Sequence, residues 1–236
     1  MSNTNQLGLP LLQPAQAQKH VTVNEALARL DGLVNLTMLT RSLATPPTVV
    51  IDGAVYGVPA GAVNEWGGQD GRIAIGTNGG WDFAVPRRGW RVMILDEGVE
   101  AIFDGSAWRG GMLTLSPANA GLSAHVVELE HVVTAGAVST TAVMIPANSV
   151  VIGATARVTS AITGTLASWS LGNPGAPGRF GMGLGTAAGS FVRGVLGQPT
   201  AFYVPEALQL DAVGGTFAGG AVRIAVHCLQ IALPDL

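Results

Sequence analysis

Residues 66–108 read WGGQDGRIAIGTNGGWDFAVPRRGWRVMILDEGVEAIFDGSAW and hold four of the chain's five tryptophans, spaced by glycine turns and short apolar runs. Asn78-Gly79-Gly80 predicts a tight hairpin, because the bend needs residues that accept positive φ, and Asp104-Gly105 predicts another. Trp81 and Phe83 alternate onto one face of a strand, as do Trp90, Val92 and Ile94 on the next. Trp66 and Trp108 adjoin glycine turns, where rings are often exposed. An indole that is not fully enclosed is a ready stacking surface, and the same ring can equally be core. The segment is therefore either a buried aromatic box or a sugar-stacking surface, and two rings of each kind are expected.

Working outward, short strands are expected at 48–52, 54–58, 72–76, 80–85, 89–97 and 99–105, giving a small antiparallel Trp-rich β domain over 46–110. Residues 15–45 carry Val23, Leu27, Leu30, Val34 and Met38 at helical spacing, which predicts a helix with one apolar stripe, stopped by Pro46 and Pro47. The stripe lies on the small sheet or bundles with the same helix of other copies, and bundling is the favoured reading. Gly32 inside the helix suggests a kink or a close contact. His20, near its start, reads as a solvated or capping residue. Residues 1–14 form an extended arm able to dock on a neighbour.

A composition break at 111–121 marks a linker. Beyond it, 122–236 alternates strands and turns over eight or nine segments, which predicts a β-sandwich of jelly-roll kind. The fold class is mainly β, with one helix. Cys228 stands alone on a strand face shared with Val222, Ile224 and Val226, where a buried, inert thiol is expected.

Charged residues make up only 11% of the 236 residues, against roughly 25% in an ordinary soluble domain. A surface so poor in charge is expected to face other proteins, most simply further copies of the chain as a trimer or pentamer. Net charge is −3 and Lys19 is the single lysine, so nucleic-acid binding is not expected. No apolar run approaches the roughly 20 residues of a membrane span, and the first residues do not read as a secretory signal.

The combination QKHVTVNEALARLDGLV, EWGGQDGRIAI and GGWDFAVPRRGWRVMILDEGVEAIFDGSAW resembles the domain of unknown function found in tailed phages and gene transfer agents, whose members include head-spike and fibre proteins. The resemblance covers about residues 7–110. It implies a virion component at a capsid vertex or fibre, assembled in the bacterial cytoplasm, that touches a host-surface polysaccharide; it does not imply catalysis. Residues 139–172 and 214–227 resemble the carboxy-terminal module of such spikes and fibres, as architecture only.

The expected carbohydrate-binding residues are Trp66, Trp81, Trp90, Trp108 and Arg88, with Trp169, Arg179 and Tyr203 on a second surface beside the long glycine-rich loop 172–185. Phe180 and Trp169 read more readily as core. Leu9, Leu11, Val23, Leu27, Leu30 and Val34 are the expected oligomer or particle contacts. Capsid or other spike proteins are the remaining expected partners, and the alternative role is an architectural adaptor that anchors another fibre. A depolymerase would need a carboxylate pair about 5–10 Å apart. Glu65, Asp70, Asp82, Asp96, Glu97, Glu100 and Asp104 read instead as turn residues. Ser123, His125 and His131 lack a nucleophile-elbow context. No enzyme activity, cofactor or metal is expected.

Overall fold

The computed structural model describes residues 3–12 and 19–235. Two units divide the chain, Met1–Met112 and Leu113–Leu236.

The first unit opens with residues 3–12, which fold back rather than extend: Asn3 bridges Pro10, and Thr4 Oγ1 and the N–H groups of Gln6 and Leu7 donate to the Asp31 carboxylate at 2.6–2.7 Å. The expected free arm is thus docked on its own helix, α1 (Lys19–Leu33). Its predicted beginning at Ala15 lies outside the described residues, as does the side chain of His20. Its end comes twelve positions before residue 45. Val34 N–H still donates to Leu30 O, but Asn35 turns left-handed at φ 52, the conformation that terminates helices and that asparagine tolerates. Thr37–Met38, expected to be helical, become the short strand β1.

Six further strands follow: β2 (Val55–Gly57), β3 (Ile73–Thr77), β4 (Gly80–Ala84), β5 (Arg91–Ile94), β6 (Val99–Phe103) and β7 (Trp108–Gly110). They form two sheets, β2-β3-β4 and β1-β5-β6-β7. All pairs are antiparallel except β1 with β5, which is parallel. Asn78 and Gly79 both take positive φ between β3 and β4, as their sequence requires. Residues 48–52 are not a strand. Their backbone instead presses on Gly76, where a Cβ would fall 2.3 Å from Ile51 O.

Strand β3 is buried on both faces. Ile73 and Ile75 enter a cluster with Met38, Val55, Val92 and Ile94, while Ala74 on the opposite face meets Tyr56, Val58 and Trp66. The helix meets this sheet through small and polar residues: Gly32 sits against Ile75, and Arg29 donates to Asp82 at 3.0 Å. Its apolar positions Val23, Leu30 and Val34 are exposed and Leu27 is half-buried. The predicted stripe therefore does not lie on the small sheet.

The second unit contains β9 (Gly121–Val132), β10 (Val138–Ile145), β11 (Ser149–Gly164), β12 (Ser168–Asn173), β13 (Ala176–Leu184), β14 (Phe191–Phe202), β15 (Glu206–Val213) and β16 (Phe217–Ala232), with β8 (Met112–Leu115) at its beginning. The expected linker 111–121 is in fact β8 and the turn into β9, closed by hydrogen bonds between Ser116 and Ala120. One sheet runs β14-β11-β16-β9-β8 and the other β10-β15-β12-β13. Counting from β9 as first, these orders are 6-3-8-1 and 2-7-4-5, the interleaved Greek keys of a jelly roll. Val151, Ala154, Val158, Ile224 and Val226 from one sheet and Leu171, Leu208 and Leu210 from the other fill the space between them. Cys228 is buried in that core, and burial raises its thiol pKa.

Candidate functional site

The structure does not gather the four tryptophans into one surface. Trp66 is sealed at 0% exposure, with its ring 5.4 Å from Tyr56 and 5.2 Å from Trp81 in an aromatic box. Its expected exposure beside Gly67 is corrected by the 3₁₀ turn Asn64–Trp66, which turns the indole inward. Trp81 is half-buried, and its Nε1 donates to Glu65 at 2.9 Å. Trp90 and Trp108 are half-buried against the central cluster, and Trp108 also leans on Phe103. The three partly open rings face separate shallow depressions. Trp81 shares one with Arg29 and Asp82, Trp90 one with Leu33 and Leu36, and Trp108 one with Arg41 and Arg72. Arg88 is exposed and donates to Asp104 O.

The second expected surface also comes apart. Trp169 and Phe180 are core, and the Trp169 Nε1 donates to Gly185 O at 2.9 Å. Residues 172–185 are no long loop, since β12 and β13 run through them with only residues 174 and 175 between. Arg179 is held by Asn173 Oδ1 at 2.8 Å and by Thr200, leaving Tyr203 exposed at 78%.

The acidic residues near the tryptophans, Asp96 apart, are occupied by structural work. Glu97 takes a bidentate bond from Arg41 at 2.6 and 2.8 Å, Asp82 pairs with Arg29, and Glu100 lies 3.8 Å from Arg91. Asp70 accepts from the Gly61 N–H at 3.2 Å. Asp104 is buried, which pushes its carboxyl pKa up, but bonds from the N–H groups of Ala107 and Ser106, from Arg109 and from the Ser106 hydroxyl outweigh this and hold it far below the ordinary range. Long-range ion pairs, not only turn capping, therefore explain this set. Ser123 and His125 bond each other at 2.9 Å, while His131 bonds Ser139 at 2.8 Å on the same strand's buried face. Among the described residues no group of three or more His, Cys, Asp or Glu side chains could hold a metal ion.

What sequence reading missed lies on the outer face of the larger jelly-roll sheet. Register places Phe191 opposite Arg157, Arg157 opposite Arg223, and Arg223 opposite Glu130. The adjacent row is Arg193, Thr155, Ala225 and Glu128. Phe191 is 58% exposed, with the guanidinium carbons of Arg157 and Arg193 at 5.6 and 5.5 Å from its ring centre. Arg223 pairs with Glu130, which also accepts from Thr159 at 2.8 Å. All of these residues but Glu130 line a groove of about 420 Å³. Alternation within each strand marks Thr155, Arg157, Phe191 and Arg193 as outward-facing, but nothing local pairs residue 157 with 191.

Residues 23–109 match the family described as "Protein of unknown function (DUF2793)", a stretch that falls within the first unit and leaves the jelly roll outside it. No curated protein matches the chain. Among solved structures, a chain of the "Cyanophage Pam1 capsid asymmetric unit" is similar at 19% identity and a TM-score of 0.32, over 46% of this chain and 84% of that one.

Proposed function

We propose that this chain is a structural protein of a tailed-phage or gene-transfer-agent particle, a spike or fibre component that assembles with copies of itself and contributes to attachment to host-surface polysaccharide. The observation that carries the reading is apolar surface turned outward by regular secondary structure. Val126, Val132, Val195 and Ile231 are all more than half exposed on strands of the jelly roll. Val23 and Leu30 are exposed on a helix whose Arg29 is committed to its own sheet, and Val34 is exposed just past its end. With only 11% charged residues, such a surface favours association over a free monomer. The resemblance of residues 7–110 to particle proteins agrees with this.

The burial of Trp66 and Trp169 favours a second reading, an architectural adaptor that holds another fibre and binds no sugar, because it removes two of the flat surfaces available for stacking. Gold-labelled antibody against this chain, applied to purified particles, tests the shared part of both readings. Labelling on the particle surface is expected, and particles that lack the chain altogether would overturn them. Mass in solution tests the assembly, with a trimer or pentamer as the expected result and a stable monomer as the contrary one.

A further inference from the structure

We propose that the outer face of the jelly-roll sheet around Phe191 binds a carboxylate-bearing sugar of an acidic polysaccharide, with Arg157 and Arg193 taking the carboxylate and the Phe191 ring taking the apolar face of the pyranose. The inference rests on the attachment reading and moves its site from the tryptophans of the first unit to the second.

Three observations converge here. An aromatic ring stands open on a regular sheet face, where a core residue would be turned inward. Among the described residues neither Arg157 nor Arg193 has a carboxylate within ion-pair distance, whereas Arg29, Arg41, Arg91, Arg109 and Arg223 each do. Both guanidinium groups lie near the ring, and an arginine stacked on an aromatic keeps its in-plane N–H donors free for a planar anion. In a chain of net charge −3, these unneutralised cations are a local reversal of sign.

The rest of the groove suits a polyhydroxylated ligand. Thr155 and Thr159 carry hydroxyls, bonded to His227 Nε2 at 3.2 Å and to Glu130 at 2.8 Å, and Glu128 and Glu130 stand at the far ends of the two rows. Those carboxylates accept hydrogen bonds from sugar hydroxyls. The groove volume falls within the roughly 300–1,000 Å³ typical of small-ligand clefts.

Calorimetric titration of the full chain with short alginate oligosaccharides, length-matched maltooligosaccharides, dextran sulfate and single-stranded DNA tests this. Binding is expected for alginate and not for the neutral series. Arg157→Gln with Arg193→Gln, and separately Phe191→Ala, are each expected to weaken alginate binding by about tenfold or more. Thermal unfolding of each variant reports its folding, and amide chemical-shift changes on the wild-type chain are expected around residues 155–157, 191–193 and 223. Unaltered alginate binding by folded variants would place the ligand elsewhere and overturn this site while leaving attachment intact. Equal binding of dextran sulfate that ignores Phe191→Ala, or tighter binding of DNA, would make the face a general polyanion patch and overturn the sugar assignment. Binding of maltooligosaccharides instead of alginate would overturn the acidic class only. No binding to any polysaccharide would remove the attachment reading together with this one.

Discussion

Gly32 of the helix and Ile75 of strand β3 meet so closely that a Cβ on Gly32 would lie 2.8 Å from Ile75 Cγ2 and 2.9 Å from its Cδ1. Ile75 is 1% exposed and β-branched, so it has little room to yield. Gly32→Ala adds about 1 kcal/mol of helix propensity but overpacks this seam at a cost of about 1–3 kcal/mol. Net destabilisation of up to about 2 kcal/mol is expected, read as a lower urea midpoint. A gain in stability would show that the seam is slack.

Asp104 is the hub of the turn between β6 and β7. Its Oδ1 accepts from the N–H groups of Ser106 and Ala107 at 2.7 Å, and Oδ2 from Arg109 at 2.5 Å. Asp104→Ala orphans these donors and is expected to destabilise by about 2–4 kcal/mol.

Asp31 behaves in the same way. Burial raises its carboxyl pKa, but donors from Gln6, Leu7, Thr4 and Asn5 prevail and lower it. Both carboxyls are therefore depressed in the folded chain, so their contribution is complete above the unfolded value of about 3.9 and declines as pH falls below it. Unfolding midpoints measured from pH 5 to pH 2 should drop below about pH 4, and Asp104→Asn should flatten that drop.

His131 is buried, and loss of solvent lowers its pKa below the ordinary 6.5. The unfolded chain then binds the proton more readily than the folded one. Stability is complete above about pH 6.5 and decreases as pH falls toward the folded pKa. A melting temperature that declines between pH 7.5 and pH 5 is expected, with a smaller decline in His131→Gln. An unchanged slope in that variant would assign the decline to other groups.

Trp66 and Trp108 separate burial from exposure in the aromatic segment. Trp66→Ala empties a sealed box and is expected to cost about 3–5 kcal/mol, whereas Trp108→Ala, half-buried, should cost distinctly less. Trp66 also keeps a buried Nε1 with no hydrogen-bond partner in the structure, so Trp66→Phe, which deletes that donor, should recover part of the loss. Equal costs for the two alanine variants would contradict the difference in burial.

Several local features were legible from residue order. The hairpin at Asn78-Gly79 and the inward row of Val222, Ile224, Val226 and Cys228 follow from turn chemistry and alternation. The helix was legible in type but not in length or orientation. Pro46 and Pro47 are strong stops, but Asn35 stops the chain earlier because one left-handed residue suffices. Its apolar stripe was readable, yet which side faces the sheet depended on Asp31 receiving bonds from residues 4–7 and on Gly32 admitting Ile75.

The order of amino acids thus determined the mainly β class, the existence of the helix, the second-half sandwich and the scarcity of surface charge, since each depends on composition or on neighbours a few positions apart. Tertiary structure alone decided that Trp66 is sealed, that Glu97 belongs to Arg41, and that Phe191 stands beside Arg157 across a strand pair. Those outcomes depend on register between segments far apart in sequence, and a shift of a single residue there would turn every side chain of the strand to the opposite face.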